Sequence, residues 1–402
     1  MKSAYVKVNC RKFRGQDPLP TLSMEDARQK VSKLLTDHLQ LKVEGYAADP
    51  QTVCDVLVKA SVEGRAIEGT CNDLEAVPTG HTVRTCLNDQ LKPADLLDIE
   101  KKANAALTAD VPKRVWKKRR DAVIDLHDEP FYGKSVELMK YACRGEAQKG
   151  TTYFYRVASL YVLSRGVPVT LAVTFVLPED TQVAILKRLL LRAKRLGLFW
   201  RCLLLDKGFC NIPTITYLQQ ARIPAILACS IRGKKKGTRA LCKGRKSYLT
   251  THQFKSAPHG TRNAKLAVVR TFDTSRRRRI RKKARWLIYV VVNLDWQPHQ
   301  VHTCYRSRFA IETSFRTMRN VHATTASRNA AVRFFLIALG FVLVNVWITL
   351  RWRLCQIPRR GGRFIDHKRL ELQRLAHFLV RAIEQVYGAI SVIYATAQPI
   401  DS

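Results

Sequence analysis

Acidic residues are scarce in this chain. Among 402 residues there are 32 Asp and Glu against 70 Lys and Arg, for a net charge of +38. A compact fold so unbalanced repels itself unless a polyanion neutralises it. Nucleic acid is the expected partner, with an anionic membrane surface or a ribosomal site as the alternative. Paired cysteine spacing is also missing. The 11 cysteines are scattered singly and no C-x-x-C occurs. This argues against a zinc site and a disulfide framework, and points to reduced thiols in a cytoplasmic protein. The opening segment, MKSAYVKVNCRKFRG, has no apolar signal core. There is no internal repeat and no low-complexity tract. A hydrophobic fraction of 46% with 25% charged residues excludes a disordered chain. The length suggests about two or three structural units.

One run lacks charge altogether. From Phe334 to Leu350 the chain reads FFLIALGFVLVNVWITL, flanked by Arg333 and Arg351. A membrane span needs about 20 apolar residues. This run is short and contains Asn345 and Thr349, so a buried core helix is the expected form and no membrane is expected as a partner.

Residues 1–115 read as helical, a DNA-end-binding domain. Pro50 suits a first helical turn, and Val53, Val56, Leu57 and Ala60 recur at helical spacing. After Gly64, two short helices around a break at Val77-Pro78 suggest a helix-turn-helix. Thr79, His81, Thr82 and Arg84 would then lie on the second helix, facing DNA. An ordinary helical bundle is the other reading. Beyond Lys117-Lys118-Arg119-Arg120 the pattern changes to AVIDLHD, two strand-like runs joined at Gly166, an amphipathic basic helix, the strand WRCLLLD, a helix and the strand IPAILACSI. That order is a mixed α/β layer arrangement. Residues 232–299 alternate strand-like runs with the basic stretches RGKKKG, KGRK and RRRRIRKKAR. They read as a β-rich insertion whose loops either meet the DNA backbone or are simply solvated. Trp286 and Trp296 either stack on an unpaired base there or pack in a core. The rest reads as helical, with 351–402 a C-terminal helical region.

Chemistry concentrates in YRSRFAIETSFRTMRN, residues 305–320. On one helix, at about 100° per residue, Tyr305, Arg308, Glu312 and Arg319 fall within about 60° of each other, with Arg316 on the same side. Ile311, Phe315 and Met318 form a separate apolar stripe. A lone Glu among arginines is often a surface ion pair. Two further acids change that reading. Asp125 ends an apolar run, and Asp206 ends LLLD before Lys207-Gly208-Phe209. Acids at strand ends can converge in a crevice, and three carboxylates suit a hard divalent cation.

These residues resemble a family. Tyr305-x2-Arg308-x3-Glu312-x6-Arg319 is similar to the Y-R-E-K signature of insertion-sequence DDE transposases of the IS-four type. DKGF at 206–209 resembles the second-acid motif, and DLHDEPFYG at 125–133 the first-acid region. The resemblance covers about residues 120–350. It implies an α/β fold: a ribonuclease H-like mixed sheet (116–231 and 300–350) with a β-rich insertion, an N-terminal helical domain and a helical C-terminus. The first acid is Asp125, with Asp128 the alternative and Glu129 a third. Tyr305, Arg308 and Arg319 are implied to hold the DNA end near the metals, with Arg316 and Arg84 as further DNA-binding groups. Position 319 departs from the signature, Arg standing for Lys, and a planar guanidinium grips phosphate differently from an ammonium. His127 is a base, a ligand or a locally packed residue.

The expected function is therefore metal-dependent cleavage and strand transfer at the ends of an insertion sequence. Two Mg²⁺ ions, or Mn²⁺ in their place, would sit on Asp125, Asp206 and Glu312. Element ends and target DNA are the expected partners, with a homodimer in the assembled complex, no small-molecule substrate, and a prokaryotic, nucleoid-associated location. A catalytically inactive transposase-derived DNA-binding protein would not nick DNA. A ribonuclease H-like nuclease would cut without joining.

Overall fold

The structure, a computed structural model, describes residues 21–43, 49–233, 237–272, 284–359 and 362–393. The N-terminal segment read for a signal, Lys234–Lys236 of one basic run and residues 276–283 of another lie outside them.

Five helices open the described chain: α1 (Met24–Leu39), α2 (Pro50–Glu63), α3 (Ile67–Asn72), α4 (Gly80–Gln90) and α5 (Leu96–Ala109). Their ends follow local chemistry. Ser23 and Asp26 form a capping box on α1. Asp49 caps α2, Pro50 fills its first turn, and Gly64 ends it at φ 65°, a left-handed conformation that glycine adopts without a Cβ penalty. The break between α3 and α4 runs from Asp73 to Thr79, longer than the about 3–4 residues of a helix-turn-helix, and Thr79 is the cap of α4 rather than part of it. The break is long because another segment packs along it. Glu75 and Ala76 donate backbone hydrogen bonds to the carbonyls of Gly388 and Tyr387, at 3.1 and 2.8 Å.

The chain then builds a nine-stranded mixed sheet among the described residues. Its elements are β1 (Arg120–Pro130), the short α6 (Val136–Met139), β2 (Cys143–Gln148), β3 (Thr151–Leu163), β4 (Val169–Val176), α7 (Gln182–Arg195), β5 (Trp200–Leu205), α8 (Ile212–Gln220), β6 (Ala225–Cys229), β7 (Tyr248–Ser256), β8 (Gly260–Phe272) and β9 (Ala284–Val292). The order is β2-β3-β1-β5-β6-β9-β8-β7, with β4 also on β3. The centre, β1-β5-β6, is parallel, and both flanks are antiparallel. The β-rich segment between Asp206 and Glu312 thus continues the central sheet, because β9 pairs directly with β6. β2 was not read from sequence. Its residues, CRGEAQ, carry no hydrophobic alternation.

Helices α9 (Pro298–Arg306), α10 (Phe309–Arg319) and α11 (Ala330–Leu354) follow. The uncharged run forms most of α11, and 94% of its most apolar window is buried inside the fold. Asn345 explains the polar residue in that core. It accepts from the Thr170 amide at 3.2 Å and donates to the Thr170 and Leu107 carbonyls at 2.6 and 3.0 Å. The β3–β4 register slips at this point, from Leu160 opposite Ala172 to Tyr161 opposite Thr170. The asparagine therefore satisfies a bulge that strand pairing leaves open. Gly340 of α11 lets α10 approach: a Cβ there would meet Met318 Cγ at 3.0 Å and the Val321 carbonyl at 3.2 Å.

The C-terminal region is not helical throughout. A hairpin, β10 (Gln356–Arg359) and β11 (Gly362–Ile365), precedes α12 (Leu372–Tyr387). Helix α12 returns to the first helices. Glu384 meets the buried Lys59 at 2.7 Å, and the Tyr387 hydroxyl donates to Asp55 at 3.0 Å. Asn104 of α5 joins that helical layer to the sheet, its amide exchanging two 2.8 Å bonds with the Val173 backbone. All ten described cysteines are free thiols.

Candidate active site

Two acids are set side by side by strand register. β1 and β5 are parallel neighbours whose last pair is Ile124 with Leu205. The next residues are Asp125 and Asp206. Adjacent strands lie about 4.8 Å apart, so both carboxylates stand at one level where parallel pairing stops. Crevices form at such carboxyl ends. Asp125 does not end its strand, as the sequence reading had it. β3 supplies an antiparallel partner as far as Pro130, with Asp125 opposite Ser159. It is β5 that leaves the sheet, turning at Asp206 into a short 3₁₀ turn closed by the Phe209 amide on the Asp206 carbonyl at 3.0 Å.

Strand alternation separates the candidates for the first acid. Asp125, His127 and Glu129 share one face of β1, and Asp128 points to the other. There Asp128 accepts a forked pair from Arg156, Nε at 2.6 Å and Nη2 at 2.9 Å. It is committed to a cross-strand ion pair away from Asp206.

The segment read as one helix is two. Tyr305 lies near the end of α9, and Arg308 precedes α10. Between them the backbone tightens, with amide-to-carbonyl bonds three residues back: Ser307 to Cys304, Arg308 to Tyr305 and Ile311 to Arg308, at 2.9 to 3.0 Å. This turn aims Arg308 inward. Its guanidinium lies among all three acids: Nη1 is 3.0 Å from Asp125, and Nη2 is 2.8 Å from Glu312 and 3.9 Å from Asp206. The side chain is 9% exposed, whereas Glu312 is 48% exposed.

Charge crowding follows. Burial pushes the Asp125 carboxyl up to about 6. The Leu126 amide, bonded at 2.9 Å, and Arg308 pull it down, while Asp206 and Glu312 push it up. Burial opposes the charge of Arg308, but Tyr305 and the three acids outweigh it and raise its pKa. Three carboxylates thus share one internal cation.

The remaining expected residues are distributed around this centre. Tyr305 is buried. Its hydroxyl donates to the Leu205 carbonyl at 3.2 Å and its ring packs on Tyr289, so it fixes the end of β5 beside Asp206. Burial raises its pKa, and Arg308 opposes that. Arg316 is exposed. Arg319 is exposed too, with Nη2 3.4 Å from His127 Nδ1. His127 is buried and stacks on Phe315 with ring centroids 5.3 Å apart. Burial, then Arg319, pushes its pKa down to about 4, which leaves a neutral imidazole packed locally. Arg84 is not brought to the acids. It pairs with Glu68 at 2.9 Å on the helical layer. Trp296 and Trp286 are half-buried and lie under Arg201 and Arg270, at 5.5 and 6.0 Å.

Arg333 and His322, gathered around Glu129, escaped sequence reading, which offered Glu129 only as a third candidate for the first acid. Glu129 faces Arg333 at 3.6 Å and His127 Nε2 at 3.8 Å, with His322 also close enough to feel its charge. Only the period-two spacing from Asp125 hinted that Glu129 shared its face.

Among the described residues, no group of three or more His, Cys, Asp or Glu side chains is arranged to hold a metal ion. Arg308 stands between the acids. The donor set nonetheless suits a hard cation. It is all carboxylate, partly buried, and carries more negative charge than one guanidinium balances.

Comparison with known proteins supplies independent findings. A family model described as a transposase DDE domain matches residues 116–345. No curated protein matches the chain in sequence. In fold, the chain is similar to the piggyBac transposase of a cryo-EM synaptic complex with hairpin DNA. The TM-score is 0.53 at 11% identity, over 91% of this chain and 80% of that one.

Proposed function

Since the chain belongs to the transposase DDE domain family, we propose that it cuts and rejoins DNA at the ends of an insertion sequence of the IS-four type, with Asp125, Asp206 and Glu312 as its catalytic acids. The observation that carries this reading is the convergence of the three carboxylates on Arg308. Asp125 is preferred to Asp128 because it shares the face and level of Asp206, whereas Asp128 is paired with Arg156 on the other face.

These acids would hold Mg²⁺, with Mn²⁺ able to replace it, and such ions supply Lewis acidity at the attacking and leaving oxygens. The chain's own residues set the geometry. The Leu126 amide orients Asp125, and Tyr305 fixes the backbone beside Asp206. Glu312 lies in the first turn of α10, where the helix dipole favours an anion. The exposed Arg316 and Arg319 would grip phosphates flanking the cut, which suits the Y-R-E-K signature with Arg in its last place. Hydrolysis of a phosphodiester frees a 3′-OH, and that hydroxyl attacks a second phosphodiester in line. Paired element ends and target DNA imply a dimer, and the net charge of +38 suits two DNA partners.

Glu312→Gln should abolish Mg²⁺-dependent cleavage of DNA carrying the native flanks of the coding sequence and leave binding of that DNA intact. Full cleavage by this variant would sink the assignment. Cleavage without joined products, in a strand-transfer assay on the wild type, would favour a nuclease instead.

A further inference from the structure

The Y-R-E-K resemblance casts Arg308 as a DNA-holding group, yet its side chain is 9% exposed and its fork faces the acids. Nη1 serves Asp125 and Nη2 serves Glu312 and Asp206, while the buried Nε has no hydrogen-bond partner. In this position the guanidinium cannot also present its planar fork to a phosphate.

We propose that Arg308 is a built-in counter-ion that fills the centre of the acid triad and leaves it, to take a DNA phosphate, as divalent ions enter. This rests on reading the triad as the metal-holding acids. The argument is one of charge and space. A hard divalent ion needs carboxylate oxygens about 2.1 Å away, in the space this guanidinium occupies. Two cations held there together would repel strongly in a partly buried site. The arginine also has a way out. It lies at the junction of α9 and α10, beside the exposed Phe309, and Glu312, one of its anchors, is itself nearly half exposed. Once outside, the fork matches a phosphate bidentately, and the orphaned Nε gains a partner. Metal and DNA binding then assist each other, and the coupling is reciprocal.

The test is Mn²⁺ binding by the full chain, read from the paramagnetic resonance signal of free Mn²⁺, with and without DNA carrying the native flanks. Arg308→Gln should bind Mn²⁺ at least about tenfold more tightly than wild type without DNA. Added DNA should tighten Mn²⁺ binding by wild type and leave the variant unchanged. Should the Gln variant fail to fold, Arg308→Lys, which keeps one charge but loses the fork, should still bind more tightly than wild type. Equal or weaker binding by the folded variants overturns the counter-ion proposal. Glu312→Gln and Asp125→Asn separate the two readings. If they lose Mn²⁺ while Arg308→Gln matches wild type, only the counter-ion role falls. If they bind Mn²⁺ like wild type, or if no form binds it, the metal-holding triad falls as well.

Discussion

Replacing Asp128 by Asn should cost stability and spare cleavage, and replacing Asp125 by Asn should do the reverse. Asp128 and Arg156 form a forked pair at 2.6 and 2.9 Å, with side chains 24% and 22% exposed. Such a pair lies between the exposed case, about 0.2–1 kcal/mol, and the buried case, where removing one partner costs about 3–5 kcal/mol. About 2 kcal/mol is therefore expected, a fall in Tm of no more than about 8 °C, and less for a chain of this size. Asp125 is different. Its carboxyl is pushed up to about 6 by burial, with Asp206 and Glu312 adding to it. The neutral amide relieves that crowding, so Tm should hold or rise while cleavage disappears. Thermal melting and a cleavage assay on one preparation of each variant make the comparison. A folded Asp128→Asn protein that no longer cuts, or an Asp125→Asn protein that cuts fully, would refute the reasoning from strand faces.

Asn345→Leu keeps the size of the side chain but strips the Thr170 amide and carbonyl at the β3–β4 bulge, and the Leu107 carbonyl of α5, of their partner. A loss of about 2–5 kcal/mol is expected, and an unchanged melting temperature would show that the bulge needs no such cap. Arg84→Ala breaks an ion pair with Glu68 whose side chains are 55% and 46% exposed, worth at most about 1 kcal/mol. If Arg84 also reaches a phosphate, DNA affinity should fall evenly across sequences and the salt slope should drop by about one. An unchanged slope would remove Arg84 from the DNA surface.

Local chemistry alone made much of this protein legible. Charge imbalance pointed to a polyanion, the β-branched runs to β1, β3, β4, β5 and β6, and Pro50, Gly64 and the uncharged run to α2 and α11. These features depend on neighbours in the chain, or on composition, and need no partner from afar. Glu312 and Asp206 stood out as candidates because motif and spacing mark them. Tertiary structure decided the rest. Asp125 and Asp128 are three residues apart on one strand, and only the pairing of β1 with β5 on one side and of Arg156 with Asp128 on the other face sets them apart. The single helix read over 305–320 became two because a tightened turn costs little in sequence terms but swings Arg308 inward, where carboxylates from β1, from the end of β5 and from α10 await it. β2 stayed hidden because CRGEAQ carries no hydrophobic alternation, although its partner β3 follows at once, Gln148 opposite Thr151. The long α3–α4 break stayed hidden because distant backbone, at Tyr387 and Gly388, holds it. Periodicity reports which face of an element is apolar. It cannot report which charges from different elements will share one buried space, and that sharing defines this site.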